Sequence, residues 1–355
     1  MSKKIVLISD VHIGVRNDNP FYMDKQLKFF ENQFIPYFEN NSITDCFILG
    51  DLFDRRKYVN FNTLYEYKRR VFDVLENKSI SVHILVGNHD TAYKNTNKVN
   101  SPELLLSEYE NVTIYTNPQT VPLLGIPVAV VPWVNIENYN EFLKYSKDSP
   151  AKIMFGHFEI KDFYMYANSI KCEHGFDRSF FDKYDMVLSG HFHEQSQIDN
   201  IRYLGSPSEF NWNDAECDRG FHILDLETQD LTFEKNYDTI HHRLYYEDNF
   251  DLMEFDFNLF RGQVIKLIVN EKADQNHYDL FVNAINSVNP ESFDIVDNTE
   301  YQFIDDSDID EDALKSENLT SIVDSYIDLL DTQLDKGKIK KMFNSLYEMV
   351  ESKDD

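Results

Sequence analysis

The sequence predicts an α/β fold organised on a largely parallel sheet, and three observations predict it. Short apolar runs alternate with stretches of helical periodicity over about the first two hundred residues. The runs are apolar throughout and bounded by glycine, which marks strands buried on both faces. Five of them stop at a polar cluster of the same kind, and in α/β sheets ligands gather beyond the carboxyl ends of strands.

In chain order, the first strand is Ile5 to Ile8 of "KIVLISDVH", ending in Asp10 and His12. After Asn19 and Pro20, a helix start, Leu27, Phe30, Phe34 and Phe38 fall at helical spacing. "CFILGDLFD" is a strand ending in Gly50 and Asp51, and after Asn60 the set Leu64, Tyr65, Val71, Phe72 and Leu75 is again helical. "VHILVGNHD" ends in Gly87, Asn88, His89 and Asp90; "AKIMFGHFE" ends in Gly156 and His157; "DMVLSGHFH" ends in Gly190, His191 and His193. The opening "MSKKIVLISD" reads as a strand rather than a secretory signal, because its apolar stretch is short and runs into Asp10. No run of apolar residues is long enough for a transmembrane helix. Cys46, Cys172 and Cys217 are odd in number and unpatterned, which fits a reducing cytoplasm.

The strand ends offer carboxylates (Asp10, Asp51), an amide oxygen (Asn88) and imidazoles (His12, His157, His191, His193), with no thiolate. Oxygen and nitrogen donors without sulfur suit Mn²⁺, Fe²⁺ or Zn²⁺, and the carboxylate and amide share favours Mn²⁺, with Mg²⁺ a further option. The set exceeds what one tetrahedral ion takes, so two divalent ions are the economical reading. Any one of these residues alone is an ordinary turn former or core histidine. Recurrence at five strand ends is what carries the assignment. The net charge of −28, with 62 acids against 34 bases, makes the chain a poor passive binder of DNA, whose nonspecific affinity comes from Lys and Arg on phosphates. A pair of dications would overturn that charge locally.

In this order the five segments resemble the calcineurin-like metallophosphoesterase superfamily. "GSPSEFNW" (Gly205 to Trp212), followed by "RGFHILDL" (Arg219 to Leu226), is similar to its SbcD and meiotic-recombination-eleven branch of DNA repair nucleases. Length and the acidic, Asn- and Tyr-rich composition look most like the nuclease subunits of T-even-type phage recombination endonucleases. The resemblance implies a four-layer α/β/β/α sandwich with two ions. Asp10, His12 and His193 would hold one, and Asn88, His157 and His191 the other, with Asp51 bridging. It implies that His89 stabilises or protonates the leaving oxygen and that Asp90 orients His89 through its second ring nitrogen. Several members of the branch carry a histidine three residues after the bridging aspartate. Here that place is Asp54, which puts a DNA-positioning role there in doubt. Arg55, Arg56 and Lys57 follow at once as candidate phosphate contacts, a solvated loop being the other reading. His83 and His222 read as core, while His174, His241, His242 and His277 have no partner pattern.

The motifs are expected to occupy a nuclease domain over 1–245. "GQVIKLIVN", "HYDLFVNAINSV" and "SFDIVD" read as strand, helix, strand, a small α/β domain over 246–300 that the resemblance makes a cap discriminating DNA substrates. An acidic linker over 301–317 follows. In 318–355, Leu319, Ile322, Tyr326 and Leu330, then Met342, Phe343 and Leu346, recur at helical spacing, with Gly337 as the stop between two helices. Such a hairpin cannot bury two apolar stripes alone, so a partner groove is expected. The resemblance names the partner as an SMC-like coiled-coil ABC ATPase. It also implies homodimerisation through helices at about 21–39 and 61–76, although ordinary core packing requires their apolar stripes as well.

The reading is thus a Mn²⁺-dependent nuclease, a 3′-to-5′ exonuclease on duplex ends and endonuclease on single strands, serving DNA end processing, recombination and double-strand break repair in the cytoplasm, that of the host if phage-encoded. A small-molecule or cyclic-nucleotide phosphodiesterase is the alternative, and would keep its activity without residues 318–355. A non-catalytic assembly subunit is the third, and has no reason to keep the whole donor set beside His89.

Overall fold

The computed structural model describes residues 3–164, 171–248, 250–299, Ile327 and 336–351, with side chains described as far as Phe343 in the last segment. Two six-stranded sheets form its centre. In the first, strands Lys4–Ile8, Asp45–Ile48, Ser81–Leu85 and Val112–Tyr115 run parallel in that order. Gly220–Asp225 and Leu231–Lys235 extend it antiparallel beyond the first strand. In the second, Ile126–Val131, Ile153–His157, Met186–Gly190 and Ile201–Tyr203 are parallel, with antiparallel edges at Gln119–Leu123 and Ser196–Ile198.

Strand periodicity sorts the core into layers. Ile5, Leu7, Phe47, Leu49 and Leu85 face Val128, Val130, Phe155 and Leu188 between the sheets. The alternate residues Val6, Ile8, Cys46, Ile48, Val82 and Ile84 face outward onto Leu27, Phe30, Phe34, Phe38, Val71, Phe72 and Leu75. On the far side Ala129, Met154 and Val187 meet Phe142, Phe158 and Phe181. The result is the expected α/β/β/α sandwich. The first helical layer is continuous but not regular. Pro20–Phe29 passes through a wider π-type turn, Phe30–Phe34, into Ile35–Asn41, and Phe61–Tyr67 passes through a second one, Lys68–Phe72.

A third sheet of parallel strands His241–Tyr245, Val264–Val269 and Ser292–Asp297, with helix Gln275–Ser287, makes the small α/β unit. Its core is Tyr246, Phe260, Ile265, Leu267, Phe281 and Ile285. The strand His241–Tyr245 lies before the expected boundary at 246, because its partner is Val264–Val269 and not either large sheet. In the tail, Gly337 lies within the described helix Lys336–Glu351. Met342 is exposed, Phe343 half-buried, and Leu346 lies in the helix. Leu319, Ile322, Tyr326 and Leu330 lie outside the described residues. Among the described residues no helix is long and apolar enough to cross a membrane.

Candidate metal centre

The parallel strands bring their carboxyl ends to one edge. Ile8 lies beside Ile48 and Ile48 beside Ile84 in one sheet, and Gly190 beside His157 in the other. Beyond them the loops interlock: the Asp10 amide donates to the Gly50 carbonyl at 3.1 Å and the His12 amide to the Asp51 carbonyl at 3.0 Å. The sheets are joined at the site by His157, whose Nδ1 bonds the Leu49 carbonyl at 2.8 Å. Glycine precedes Asp51 and Asn88 for a steric reason. A Cβ on Gly50 would collide with the His157 ring, and one on Gly87 with the Asp51 carboxylate. The backbone is strained by this convergence: Asp10, His12, Asp51 and His191 all have positive φ, at 51°, 51°, 50° and 100°. Such strain persists only where the surroundings over-determine it, and it clusters at functional sites.

All seven expected donors meet here, in two adjoining groups, one of Asp10, His12 and His193 and one of Asp51, His157 and His191, and His12 belongs as well to a third with Asp54 and His89. Asn88 joins the second, its Oδ1 lying 3.0 Å from both His157 Nε2 and His191 Nδ1. One oxygen of Asp51 stands between the groups, Oδ2 being 3.3 Å from His157 Nε2 and 3.9 Å from His12 Nε2. Its other oxygen accepts the His89 amide at 2.8 Å. Across the first group, His12 Nε2 and His193 Nε2 face each other at 3.1 Å.

These contacts point lone pairs at one another. The Leu49 carbonyl can only accept, so a neutral His157 must carry its proton on Nδ1 and turn a bare Nε2 toward two oxygens. Either protons or cations must sit among such groups. Burial opposes the charge on His157, but Asp51 and Asp10 outweigh it and lift the ring to about 9. Burial is likewise outweighed at His12, lifted to about 8 by Asp54, Asp51 and Asp10. Burial also opposes ionisation of Asp51, yet His157, His89 and His12 hold it well below the carboxylate range. Burial, with the charge on His157, pushes His191 down to about 3, and burial with His12 and Arg219 pushes His193 well below the imidazole range. Both shifts favour the uncharged ring, and the Nδ1 atoms of His12 and His193 are buried without a hydrogen bond. A sulfur-free set of converging acceptors fits a pair of divalent cations.

The family description "Calcineurin-like phosphoesterase" matches residues 3–195. The chain belongs to that family. It is 32% identical over 346 residues to Exonuclease subunit 1 of Enterobacteria phage T4, covering 97% of this chain and 98% of that protein. It is 24% identical over 253 residues to a subunit of nuclease SbcCD from Staphylococcus epidermidis, covering 64% and 67% of the two. Among solved structures, a novel archaeal phosphodiesterase overlaps 66% of this chain and 99% of its own at 14% identity and a TM-score of 0.33. Pseudomonas putida nuclease MPE does so over 65% and 87% at 15% identity and the same TM-score of 0.33.

Around this phosphoesterase site lies a cleft of about 390 Å³, lined by His12, Arg16, Asp54, His89, His193 and Phe210 among others. His89 is positioned differently from the expectation. Its Nδ1 bonds the backbone carbonyl of Asp54 at 2.7 Å. Asp90 does not orient it: fully buried, its carboxylate accepts the amides of Phe53 at 3.0 Å, Gly87 at 2.9 Å and Leu52 at 3.3 Å. Asp54 Oδ1 also lies 3.3 Å from His12 Nδ1, within ion-pair distance of that ring when it is protonated.

Arg55 and Arg56 are engaged within the protein, Arg55 with Asn17 and Asp18 and Arg56 with Thr91 Oγ1, while Lys57 is exposed. Residues without a sequence-level role also touch the phosphoesterase donors. Phe210 packs edge-on against His12 and His193, at 5.4 Å from each ring, and Trp133 lies 5.3 Å from the His191 ring. Phe210 sits in "GSPSEFNW", so a motif signal existed for it; Trp133 had none.

Proposed function

We propose that this phosphoesterase is the nuclease subunit of a DNA end-processing machine, using two divalent ions with Mn²⁺ favoured. One observation carries the reading: a single Asp51 oxygen faces both donor groups at the mouth of an open cleft. Asp10, His12 and His193 would hold one ion, Asn88, His157 and His191 the other, and Asp51 both. Bound there, the ions would polarise the phosphoryl oxygens and make water a nucleophile near neutral pH. His89, held by Asp54, lines the cleft with Nε2 free to meet the leaving oxygen. The nature of the substrate follows the relatives, an exonuclease subunit over nearly the whole chain and a nuclease subunit over much of it.

On this reading the nuclease unit expected over 1–245 gives up its last strand, His241–Tyr245, to the substrate-discriminating cap expected over 246–300. Residues 301–317 are a linker, and 318–355 dock a coiled-coil ABC ATPase. The exposed Met342 supports the docking. Homodimerisation through the first helical layer is supported by Phe61 and Tyr65, which are 88% and 61% exposed although large and apolar. Action is 3′-to-5′ on duplex ends and endonucleolytic on single strands, in the cytoplasm.

The test is cleavage of end-labelled duplex and circular single-stranded DNA by the purified chain with Mn²⁺, with and without the ATPase. Stepwise shortening from 3′ ends and nicking of circles are expected. Turnover of cyclic nucleotides with DNA left intact would replace this reading by the phosphodiesterase one.

A further inference from the structure

Between His12 and the first long helix the chain takes an unusual course. Arg16, Asn17 and Asp18 have φ of 56°, 62° and 57°, a run of three non-glycine residues in the left-handed region. L-residues enter that region singly, and a succession is disfavoured at each step. The turn is bolted from outside. Arg55 donates to Asn17 Oδ1 at 2.7 Å and pairs with Asp18 Oδ2 at 3.4 Å, while the Thr63 hydroxyl donates to Asp18 Oδ1 at 2.8 Å. Strain held in this way marks a residue whose placement matters.

The residue presented is Arg16. It is exposed and lines the cleft over the donor groups together with His12, Asp51, His89 and His193. It also lines a second cleft of about 550 Å³ that runs on toward the cap. Its guanidinium lies 5.7 Å from the centre of the Tyr22 ring and interacts with that residue's hydroxyl, a neutral partner that leaves its charge uncompensated, and no ion pair of Arg16 with a carboxylate is found among the described residues. Arg55 and Arg56, the neighbouring candidates, already have protein partners. The second cleft carries Glu291 and Asp294 on its cap wall, which repel an anion. The cleft over the donors carries Asp51 and Asp54 too, but there two bound dications would offset the carboxylates, so a phosphate is favoured on the face of Arg16 that looks into it.

We propose that Arg16 is a phosphate clamp. Its guanidinium takes the backbone phosphate next to the one positioned at the donor groups, and the left-handed turn holds it there. The proposal rests on the nuclease reading and names a contact that sets how the strand is gripped. A planar fork of donors suits a phosphate bidentately, which a lysine cannot reproduce.

The test uses the full chain with Mn²⁺, as wild type, Arg16→Ala and Arg16→Lys, with a fluorescent oligonucleotide titrated over a range of salt. Arg16→Ala should bind roughly ten- to a hundredfold more weakly, the loss of one charge-assisted hydrogen-bonded contact. Its plot of log affinity against log salt should be less steep by about 0.7 to 0.9, the signature of one phosphate. Arg16→Lys should keep the wild-type slope and lose part of the affinity, and both variants should melt and hold metal like wild type. Unchanged affinity and slope in Arg16→Ala, while wild type cleaves DNA, overturn the clamp. So does a fall in melting temperature and metal content that tracks the loss of binding in both variants, since Arg16 would then only support the turn. A wild-type chain that neither binds nor cleaves DNA overturns the nuclease reading and the clamp with it.

Discussion

Replacing Asp90 separates two roles that look alike in sequence. Its carboxylate is buried and takes three backbone amides, those of Leu52 and Phe53 on the loop after Asp51 and that of Gly87 before Asn88. In Asp90→Ala three buried donors lose their acceptor, at about 1–3 kcal/mol each. Local relaxation and water entry favour the low end, so about 3 kcal/mol is the expected loss. In a domain of this size that lowers the melting temperature by roughly 6–12 °C. Asp90→Asn keeps one oxygen and should lose roughly half as much. Because both stapled loops carry donors, metal content should fall with stability, and excess Mn²⁺ should restore part of both by mass action. Thermal melting and metal analysis on the same samples read this out. An Asp90→Asn protein that melts like wild type and keeps its metal while turnover falls would refute the staple. It would reinstate Asp90 as a partner of His89.

Three further outcomes are expected. His89→Ala should retain its metal and lose most cleavage, on the order of 10²- to 10⁴-fold as for a lost proton donor; a collapse of metal content would move His89 into the donor set. In the metal-stripped protein His12 and His157 titrate near 8 and 9, above the roughly 6.5 of an unfolded imidazole. Their protonated forms therefore stabilise that fold fully below about pH 6.5, and the contribution is lost as pH rises through 8 and 9. Melting after chelation should drop across that window, and adding Mn²⁺ at about pH 7 should release protons, measurable by calorimetry in buffers of different ionisation heat. Deleting residues 318–355 should abolish capture of the coiled-coil ATPase in a pull-down while metal content stays at the wild-type level; capture by the shortened chain would remove the tail from the interface.

The donor set was legible because it is local. Each donor lies at or just beyond the end of a buried strand, and a glycine whose Cβ a neighbouring side chain would exclude precedes Asp51, Asn88, His157 and His191, so the pattern repeats in the sequence itself. The layers were legible for the same reason, since Ile5 and Leu7 face one way and Val6 and Ile8 the other. What stayed hidden depends on contacts between distant segments. Positive φ at Asp10, His12 and Asp51 is imposed by interlocked loops and leaves no mark on residue type. Asp90 adjoins His89 in sequence, and adjacency suggested a contact, whereas its carboxylate turns to amides 37 and 38 residues away. Basic residues at 55 and 56 suggested phosphate contacts, but an exposed charge and one engaged by a neighbouring turn are written with the same letters. His241 had no partner pattern, and its partners prove to be Glu209 and Tyr22.

The pair Glu209 and Phe210 ties the cap to the donors. Phe210 lies against His12 and His193, while Glu209, buried beside it, accepts the Ile240 amide at 2.9 Å and the His241 amide at 2.7 Å. Its carboxylate also meets His241 Nδ1 at 3.1 Å, and the far nitrogen of that ring bonds Tyr22 at 3.0 Å. Val15, Tyr22, Phe210, Ile240 and Val264 close over this junction as one apolar cluster. A swing of the cap as a rigid body would strip a buried carboxylate of its donors and open that cluster. Breaking a buried, hydrogen-bonded charge alone costs several kcal/mol, on the order of 3–5. Thermal motion does not supply that often, so the cap and the rings of His12 and His193 move together or not at all. If that unit sorts substrates, it would do so through the fixed shape and charge of the cleft it walls, which Glu291, Asp294 and Arg16 line together.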